Sequence, residues 1–391
     1  MLIESSLLAA SGVLAVPALV CCAQVLLALR PGRPSKLDEA PRPRIGILMP
    51  AHNEAQVIVD SLRSIIPQLR RGDRLMVIAD NCTDSTAGIA AGLGVEVVIR
   101  YDAVNRGKGY ALDFGLRRMA DDPPEVLIIM DADCQAEAGC IDRLARLAMQ
   151  TARPVQALYL MHAPAQSGTA SCLAEFAWVV KNQVRPLGAA RLGLPCQLTG
   201  TGMAFPWQLT RQMQLANANI VEDMQLGIDL AVAGHPPVFC PEARVSSVFP
   251  LETAAAATQR TRWEHGHLGL IRSGLPRLLA AAVARHDGLL LGLALDLAVP
   301  PLALLALFSG ALAMGGLAAW LAGATSHWSA LTLLPLALLL LAVTLAWAGW
   351  GRHLLSWQAA LAIPRYAVTK IPLYLQFVRQ RQTQWIKTRR D

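Results

Sequence analysis

Charge is scarce in this sequence. Lys, Arg, Asp and Glu make up 16% of its 391 residues against 54% apolar ones, and the mean hydropathy is +0.38. That balance is too apolar for an ordinary soluble enzyme and indicates a soluble-type domain joined to membrane segments. The eight cysteines include the adjacent Cys21 and Cys22 but no Cys-x-x-Cys pair. Neither a disulfide framework nor a zinc knuckle is indicated, and buried thiols in a reducing compartment are expected. The first apolar run has Glu4 and no Lys or Arg ahead of it, and it is too long for a cleaved signal peptide. Two nucleotide motifs are also incomplete. "NRGKGY" lacks the upstream glycine of a Walker loop and has Gly109 in place of Ser or Thr, and "GLGVEV" lacks a third glycine and precedes a strand instead of following one.

Three long apolar blocks are present: 6–29, about 297–322, and 329–350. Each is long enough to cross a bilayer, which takes about 20 residues. Arg30, Arg33 and Lys36 follow the first block, "GATSHWSA" between the other two has no Lys or Arg, and "GRH" and a basic tail follow the third. The positive-inside rule then places the N-terminus outside, a large domain inside, a short outer loop, and the C-terminus inside. The segment 288–297 contains Asp296 and reads as an interfacial approach to the second span. The segment 354–378 is apolar but holds Arg365, Lys370 and two prolines, so it lies on the cytoplasmic surface, the alternative being a fourth span. The net charge of +7 is concentrated in "RQRQTQWIKTRR", which beside apolar spans meets anionic lipid; no nucleic-acid partner is expected. The chain thus divides into an anchor and basic linker (1–40), a globular domain (41–270), and interfacial helices, two spans and a tail (271–391).

Within the globular domain, 44–50, 74–80, 95–99 and 126–131 read as buried strands with helical stretches at about 54–66, 84–92 and 109–120. This alternation predicts a parallel sheet wrapped by helices, an α/β fold of Rossmann-like type. Ligands in such sheets sit at the C-terminal strand ends, here "PAHNE", "ADNCTD" and "DADC".

In "LIIMDADC" an apolar run stops at Asp131, and Asp133 follows. If extended geometry continues, residues i and i+2 point to one side, so the two carboxylates converge and repel unless a hard cation such as Mg²⁺ or Mn²⁺ joins them. The other reading is a solvated Asp-x-Asp turn. Asp80 ends the second strand, where it serves either a base or ribose or the cap of the next helix, a role open also to Asp84 and Thr83. Lys108 reads as part of a glycine-flanked loop, which suits a diphosphate or a plain surface. Glu222 and Asp223 open the helical run "NIVEDMQLGIDLAVAG". Carboxylates favour helix N-termini for dipole reasons, and one beside a sugar acceptor also serves as general base. In "TQRTRWEHGH", Gln259, Arg262 and Trp263 share a helical face suited to a diphosphate and a sugar ring, or to a juxtamembrane anchor. His265 and His267 lie about 200° apart on a helix, which makes a poor zinc pair.

"PAHNEA", Asp80, "DAD", "VED" and "QRTRW", in this order, resemble membrane-bound glycosyltransferase family 2, the branch with cellulose and hyaluronan synthases and ceramide glucosyltransferase. The resemblance covers about 43–270. It implies a GT-A fold, a nucleotide-sugar donor that is commonly UDP-linked, and a divalent metal, Mg²⁺ or Mn²⁺. It implies that Ala51, Glu54, Asp80, Lys108 and Asp131 serve the donor and that Asp131 and Asp133 form the metal pair, with Asp133 the direct ligand. Asp223 would be the base beside Glu222. Gln259, Arg262 and Trp263 would close over the diphosphate and acceptor, and Gly200, Thr201 and Gly202 would shape the acceptor pocket. Val221 replaces a threonine often found before the Glu-Asp pair. Secreting polymer synthases have several more spans, so the implied activity is inverting sugar transfer to a lipid-linked or membrane-associated acceptor. Such an enzyme would sit at the bacterial inner membrane, facing the cytoplasm, in envelope or exopolysaccharide synthesis. The rival readings are transfer to polyprenyl phosphate, a nucleotide-sugar-sensing scaffold, and a transporter, for which Asp296 alone is thin support.

Overall fold

The computed structural model describes residues 2–32, 40–165, 167–216, 221–250, 253–323 and 327–379. They fall into two compact units, one built from 40–162 and 195–255 and the other from 2–32, 163–194 and 256–379. Residues 163–194 and 256–270, which the sequence reading includes in the 41–270 domain, therefore group with the apolar helices. Most of the basic tail and of the linker with Arg33 and Lys36 lies outside the described residues.

The first unit is a sheet of eight strands. The four read from sequence are β1 (Ile45–Ala51), β2 (Arg74–Asp80), β3 (Glu96–Arg100) and β4 (Val126–Ile129). They lie parallel in the order β3-β2-β1-β4, with β1, β2 and β4 buried almost throughout. Strands covered on both faces have no solvent side, which is why they read as continuous apolar runs. The chain moves outward from β1 to β3 and then returns to the other side of β1 with β4. That reversal makes the C-terminal ends of β1 and β4 a topological switch point, where such sheets open a ligand crevice.

The other half corrects the expectation of a parallel sheet. It consists of β5 (Gln135–Ala136), β6 (Val155–His162), β7 (Met203–Pro206) and β8 (Val238–Val248). β7 is antiparallel to both β4 and β6, β8 is parallel to β6, and β5 is antiparallel to β8. Helices still separate these strands in sequence, Cys140–Thr151 before β6, Thr169–Val179 and Arg185–Ala190 before β7, and Glu222–Val232 before β8, so the alternation alone does not reveal that β7 runs antiparallel to both neighbours. The helices Lys108–Met119 and Glu222–Val232 both join one core cluster with the sheet, through Leu112, Met119, Leu226 and Leu230 against Leu48 and Ile78. Each such side chain contributes about 1.5–3 kcal/mol by its burial. The N-terminal ends of these two helices are held in place by that packing.

The second unit contains three helices long and apolar enough to cross a membrane: Ser5–Ala28, Leu302–Leu321 and Ala330–Gly351. They coincide with the three apolar blocks of the sequence. Residues 354–378 form three short helices instead of a fourth long one: Trp357–Ala360, Ile363–Thr369 and Ile371–Arg379, the last two carrying Pro364 and Pro372 near their starts. A buried polar network crosses this unit. Asp296 Oδ1 accepts from Gln24 Nε2 and Arg185 Nη2, both at 2.8 Å, and Gln24 Oε1 accepts from Arg185 Nε at 2.8 Å. Gly188 permits the approach, because a Cβ there would fall 1.8 Å from the Gln24 carbonyl oxygen.

Candidate active site

The ends of β1 and β2 are joined by their loops. Asn53 sits at a φ of 55° and exchanges two hydrogen bonds with Thr83, at 2.7 and 3.0 Å. The Glu54 N–H donates to Thr86 Oγ1 at 2.8 Å and the Ala55 N–H to Asp84 Oδ2 at 3.1 Å. Asp84 Oδ1 also accepts from the Thr86 N–H and hydroxyl. The carboxylate that serves the start of the next helix is thus Asp84. Burial alone would raise its pKa, but the hydrogen bonds from Thr86 and Ala55 hold it below the ordinary carboxylate range. Ala51, at the end of β1, is buried, and its carbonyl accepts from the Cys82 thiol at 3.4 Å.

Asp80 is released from capping and bound to another group. It stands opposite Arg100 in the register of β2 and β3, and Arg100 Nη1 donates to its Oδ1 at 2.6 Å. Asn81 Nδ2 donates to the same oxygen at 3.0 Å. The Asn81 amide is oriented by its own acceptor side, because the Asp102 N–H donates to Asn81 Oδ1 at 2.9 Å. Arg100 Nη2 continues to Asp102 Oδ2 at 2.9 Å and to the Asn105 carbonyl at 2.8 Å. Asp102 accepts further from Val104 and Asn105, and these hydrogen bonds, led by that of the Asn105 N–H, lower its pKa.

At the end of β4 the two carboxylates of the D-x-D motif converge, but not by strand alternation. β4 stops at Ile129, residues 132–133 turn, and the Cys134 N–H donates back to the Asp131 carbonyl at 3.2 Å. The ligand atoms of Asp131, Asp133 and Cys134 lie within 4.8 Å of one another. Thr201 is fully buried, and its Oγ1 accepts the Asp131 N–H at 3.0 Å, so this hydroxyl holds the turn. Gln156 in turn fixes Thr201, donating to its carbonyl at 2.9 Å while accepting the Thr199 N–H at 2.8 Å.

Lys108 is the first residue of its helix, not part of a loop. Its Nζ lies 2.5 Å from Asp131 Oδ1 and donates to the Gly200 carbonyl at 2.7 Å. Gly200 has a φ of 90°, and a Cβ built on it would stand 3.1 Å from Asp223 Oδ2 and 3.4 Å from Lys108 Nζ. Asp223, in the first turn of Glu222–Val232, therefore shares the space with Lys108 and Asp131. Burial alone would lower the Lys108 pKa, but Asp131, Glu222 and Asp223 hold it well above its usual range. Asp131 is raised first by burial and then by Asp133 and Asp223, with Lys108 opposing. Asp131 thus moves upward through its burial and its acidic neighbours, and Lys108 through the three carboxylates of Asp131, Glu222 and Asp223.

That excess of negative charge, on hard oxygen donors, suits Mg²⁺ or Mn²⁺ bound through Asp131 and Asp133. Cys134 does not belong to such a set. Its thiol donates to Asp133 Oδ1 at 3.3 Å, and burial followed by the charges of Asp133 and Asp131 raises its pKa well above normal. Ala51, Asp80 and Asp131 all stand at the C-terminal edge of parallel strands, Asp80 two strands from Asp131, or about 10 Å at about 4.8 Å per strand.

Gln259, Arg262 and Trp263 lie on the helix Thr253–Arg285 of the other unit. Gln259 is buried, and its Oε1 has no hydrogen-bond partner among the described residues. The Trp263 ring centroid is 4.8 Å from that of Trp178, with the planes 44° apart. The two histidines of the same run point to separate carbonyls, His265 Nε2 to Leu373 O at 2.9 Å and His267 Nε2 to Leu297 O at 3.4 Å. They form no common metal site. Sequence reasoning missed Arg100, Gln156 and Trp178. Only Arg100 left a signal, as a strand-terminal cation in register with Asp80 once β2 and β3 are paired.

A mixed sheet whose parallel half has a carboxylate at its second strand end, a D-x-D turn at its switch point and an acidic helix start beside it defines a GT-A nucleotide-sugar transferase. The chain belongs to glycosyltransferase-like family 2, whose model matches residues 41–266. Among solved structures it is similar to a mannosyltransferase from Pyrobaculum calidifontis, determined in complex with GDP-Man and Mn²⁺. The similarity is 20% in identity with a TM-score of 0.56, covering 94% of this chain and 98% of that one. Among curated sequences it is 29% identical over 112 residues to an uncharacterised protein of Methanocaldococcus jannaschii, which is 29% of this chain. The match spans 44% of that relative's length.

Proposed function

We propose that this protein is an inverting, metal-dependent glycosyltransferase that moves a sugar from a nucleotide-sugar to a lipid-linked or membrane-associated acceptor. The observation that carries this reading is the meeting of Asp131, Lys108 and Asp223 around Gly200, with Asp133 in the adjoining turn. The Mn²⁺ bound by the Pyrobaculum mannosyltransferase supports a metal role for the same fold. In this chain Asp131 and Asp133 would hold the ion, whose chemistry is to offset charge on the departing diphosphate.

The remaining steps belong to the protein. Asp223 accepts the proton of an acceptor hydroxyl, and the acceptor oxygen forms a bond to the anomeric carbon. The bond from that carbon to the diphosphate oxygen breaks, and the diphosphate leaves with the electron pair. Attack from the opposite side inverts the centre. Lys108, held at the Asp131 carboxylate, is placed for phosphate oxygens. Asp80 and the Ala51–Glu54 segment take the nucleoside. By correspondence with the family motif, Gln259, Arg262 and Trp263 act on the diphosphate and acceptor, with Glu222 beside the base and Gly200–Gly202 shaping the acceptor side. The three long apolar helices support a membrane location and a lipid acceptor. The bacterial inner membrane and an envelope or exopolysaccharide product are the setting that the motif order suggests.

The test uses the full chain purified in detergent. Nucleotide-sugars are screened for thermal stabilisation with Mn²⁺ present, and release of nucleoside diphosphate is then followed with the best donor. Release that needs Mg²⁺ or Mn²⁺ and disappears in Asp133→Ala is the expected result. Release of equal size in Asp133→Ala, or none with any donor, would overturn the assignment.

A further inference from the structure

Arg100 belongs to none of the motifs that carry the reading above, yet it is the buried cation in contact with the carboxylate at the nucleoside end of the site. We infer that Arg100 is a specificity-determining residue: it loads one oxygen of Asp80 and so selects a nucleobase that offers one donor, as uracil does, over guanine, which offers two. This rests on the proposed contact between Asp80 and the nucleobase.

Each carboxylate oxygen has two lone-pair directions. On Asp80 both contacts fall on Oδ1, from Arg100 Nη1 at 2.6 Å and from Asn81 Nδ2 at 3.0 Å. Oδ2 accepts from no described residue. Neither donor can easily turn away. Arg100 is tied by its second nitrogen to Asp102 and to the Asn105 carbonyl, and Asn81 is oriented by the Asp102 N–H. Asp102 is itself anchored by the N–H groups of Val104 and Asn105. The turn 102–105 therefore acts as a clamp that keeps Oδ1 occupied.

A guanine edge presents its ring N–H and amino N–H side by side, and a carboxylate meets them with both oxygens in parallel. With Oδ1 occupied, only half of that pairing is available, and the second guanine donor is left facing a filled acceptor. Uracil presents one ring N–H between two carbonyls, and Oδ2 alone satisfies it. Cytosine and adenine each set a ring-nitrogen acceptor beside their amino group, which a carboxylate oxygen repels. The chemistry of a half-loaded carboxylate thus favours a uridine or thymidine diphosphate donor.

The experiment is calorimetric titration of the detergent-purified full chain with UDP and GDP at fixed Mn²⁺, so that it reads binding and not turnover. The wild type should prefer UDP by about tenfold or more, equal to about 1.4 kcal/mol. Arg100→Met should shrink the UDP-to-GDP ratio several-fold with Mn²⁺ affinity unchanged. Arg100→Lys, which still donates to Oδ1 and guards against a folding artefact, should retain the preference. A wild type that binds GDP as well as UDP, or an Arg100→Met ratio equal to the wild type's, overturns the inference. Asp80→Asn with unchanged UDP affinity would instead remove its foundation, by showing that Asp80 does not meet the base.

Discussion

Gly200→Ala probes the proposed site through a single methyl group. Gly200 has a φ of 90°, where an L-residue is strained by about 1–2 kcal/mol. For a unit of roughly 150–250 residues that lowers the apparent Tm by about 2–8 °C. The new Cβ would also stand 3.1 Å from Asp223 Oδ2, so the carboxylate must move by a few tenths of an ångström. A misplacement of about 1 Å can cost about a hundredfold in rate, so the smaller shift should cost about three- to tenfold. Gly234→Ala supplies the control. Its φ is 98°, so the backbone strain is similar, but no atom lies within 4 Å of the added Cβ. Thermal unfolding and nucleoside diphosphate release are measured for both variants at matched concentrations of folded protein. Both should lose similar stability, and only Gly200→Ala should lose rate. Equal rates in the two variants would refute a working role for Asp223 beside Gly200.

Asp223→Asn should abolish turnover while leaving binding of donor nucleotide intact, and Asp60→Asn, on the exposed side of the helix Ile58–Ile65, should leave turnover unchanged; a fully active Asp223→Asn would favour polyprenyl phosphate, an acceptor that needs no strong base. The Asp84 pKa is lowered in the folded protein, against the effect of its burial, by bonds from Thr86 and Ala55. Its contribution is therefore complete above the ordinary carboxylate pKa and is lost as pH falls through that value toward the depressed one; Asp84→Asn should flatten the acid limb of a stability-against-pH curve. Arg185→Met leaves Asp296 buried without its cation and should cost about 3–5 kcal/mol in detergent unfolding, and adding Asp296→Leu should recover much of the loss. If the double variant is no more stable than the single one, the network is not an ionic unit.

What could be read directly from the chain was what short windows encode. Strands covered on both faces become unbroken apolar runs, so β1, β2 and β4 are visible as "RIGILMP", "RLMVIAD" and "VLII". The carboxylates at their ends are visible because polar side chains interrupt those runs. Three apolar blocks mark three long helices for the same reason.

The partners were decided by the tertiary structure. Asp80 meets Arg100, 20 residues away, only because β2 and β3 pair in one register. Lys108 meets the Gly200 carbonyl 92 residues away, and Thr201 meets the Asp131 N–H 70 residues away, only because antiparallel β7 follows its loop into the sheet beside β4. The Cys134 thiol, buried between Asp133 and Tyr159, donates to the Asp133 carboxylate, a contact that composition does not record. Local periodicity sets which face of an element is apolar, but the contact of two distant side chains depends on how whole elements pack, and that information is spread over the entire chain.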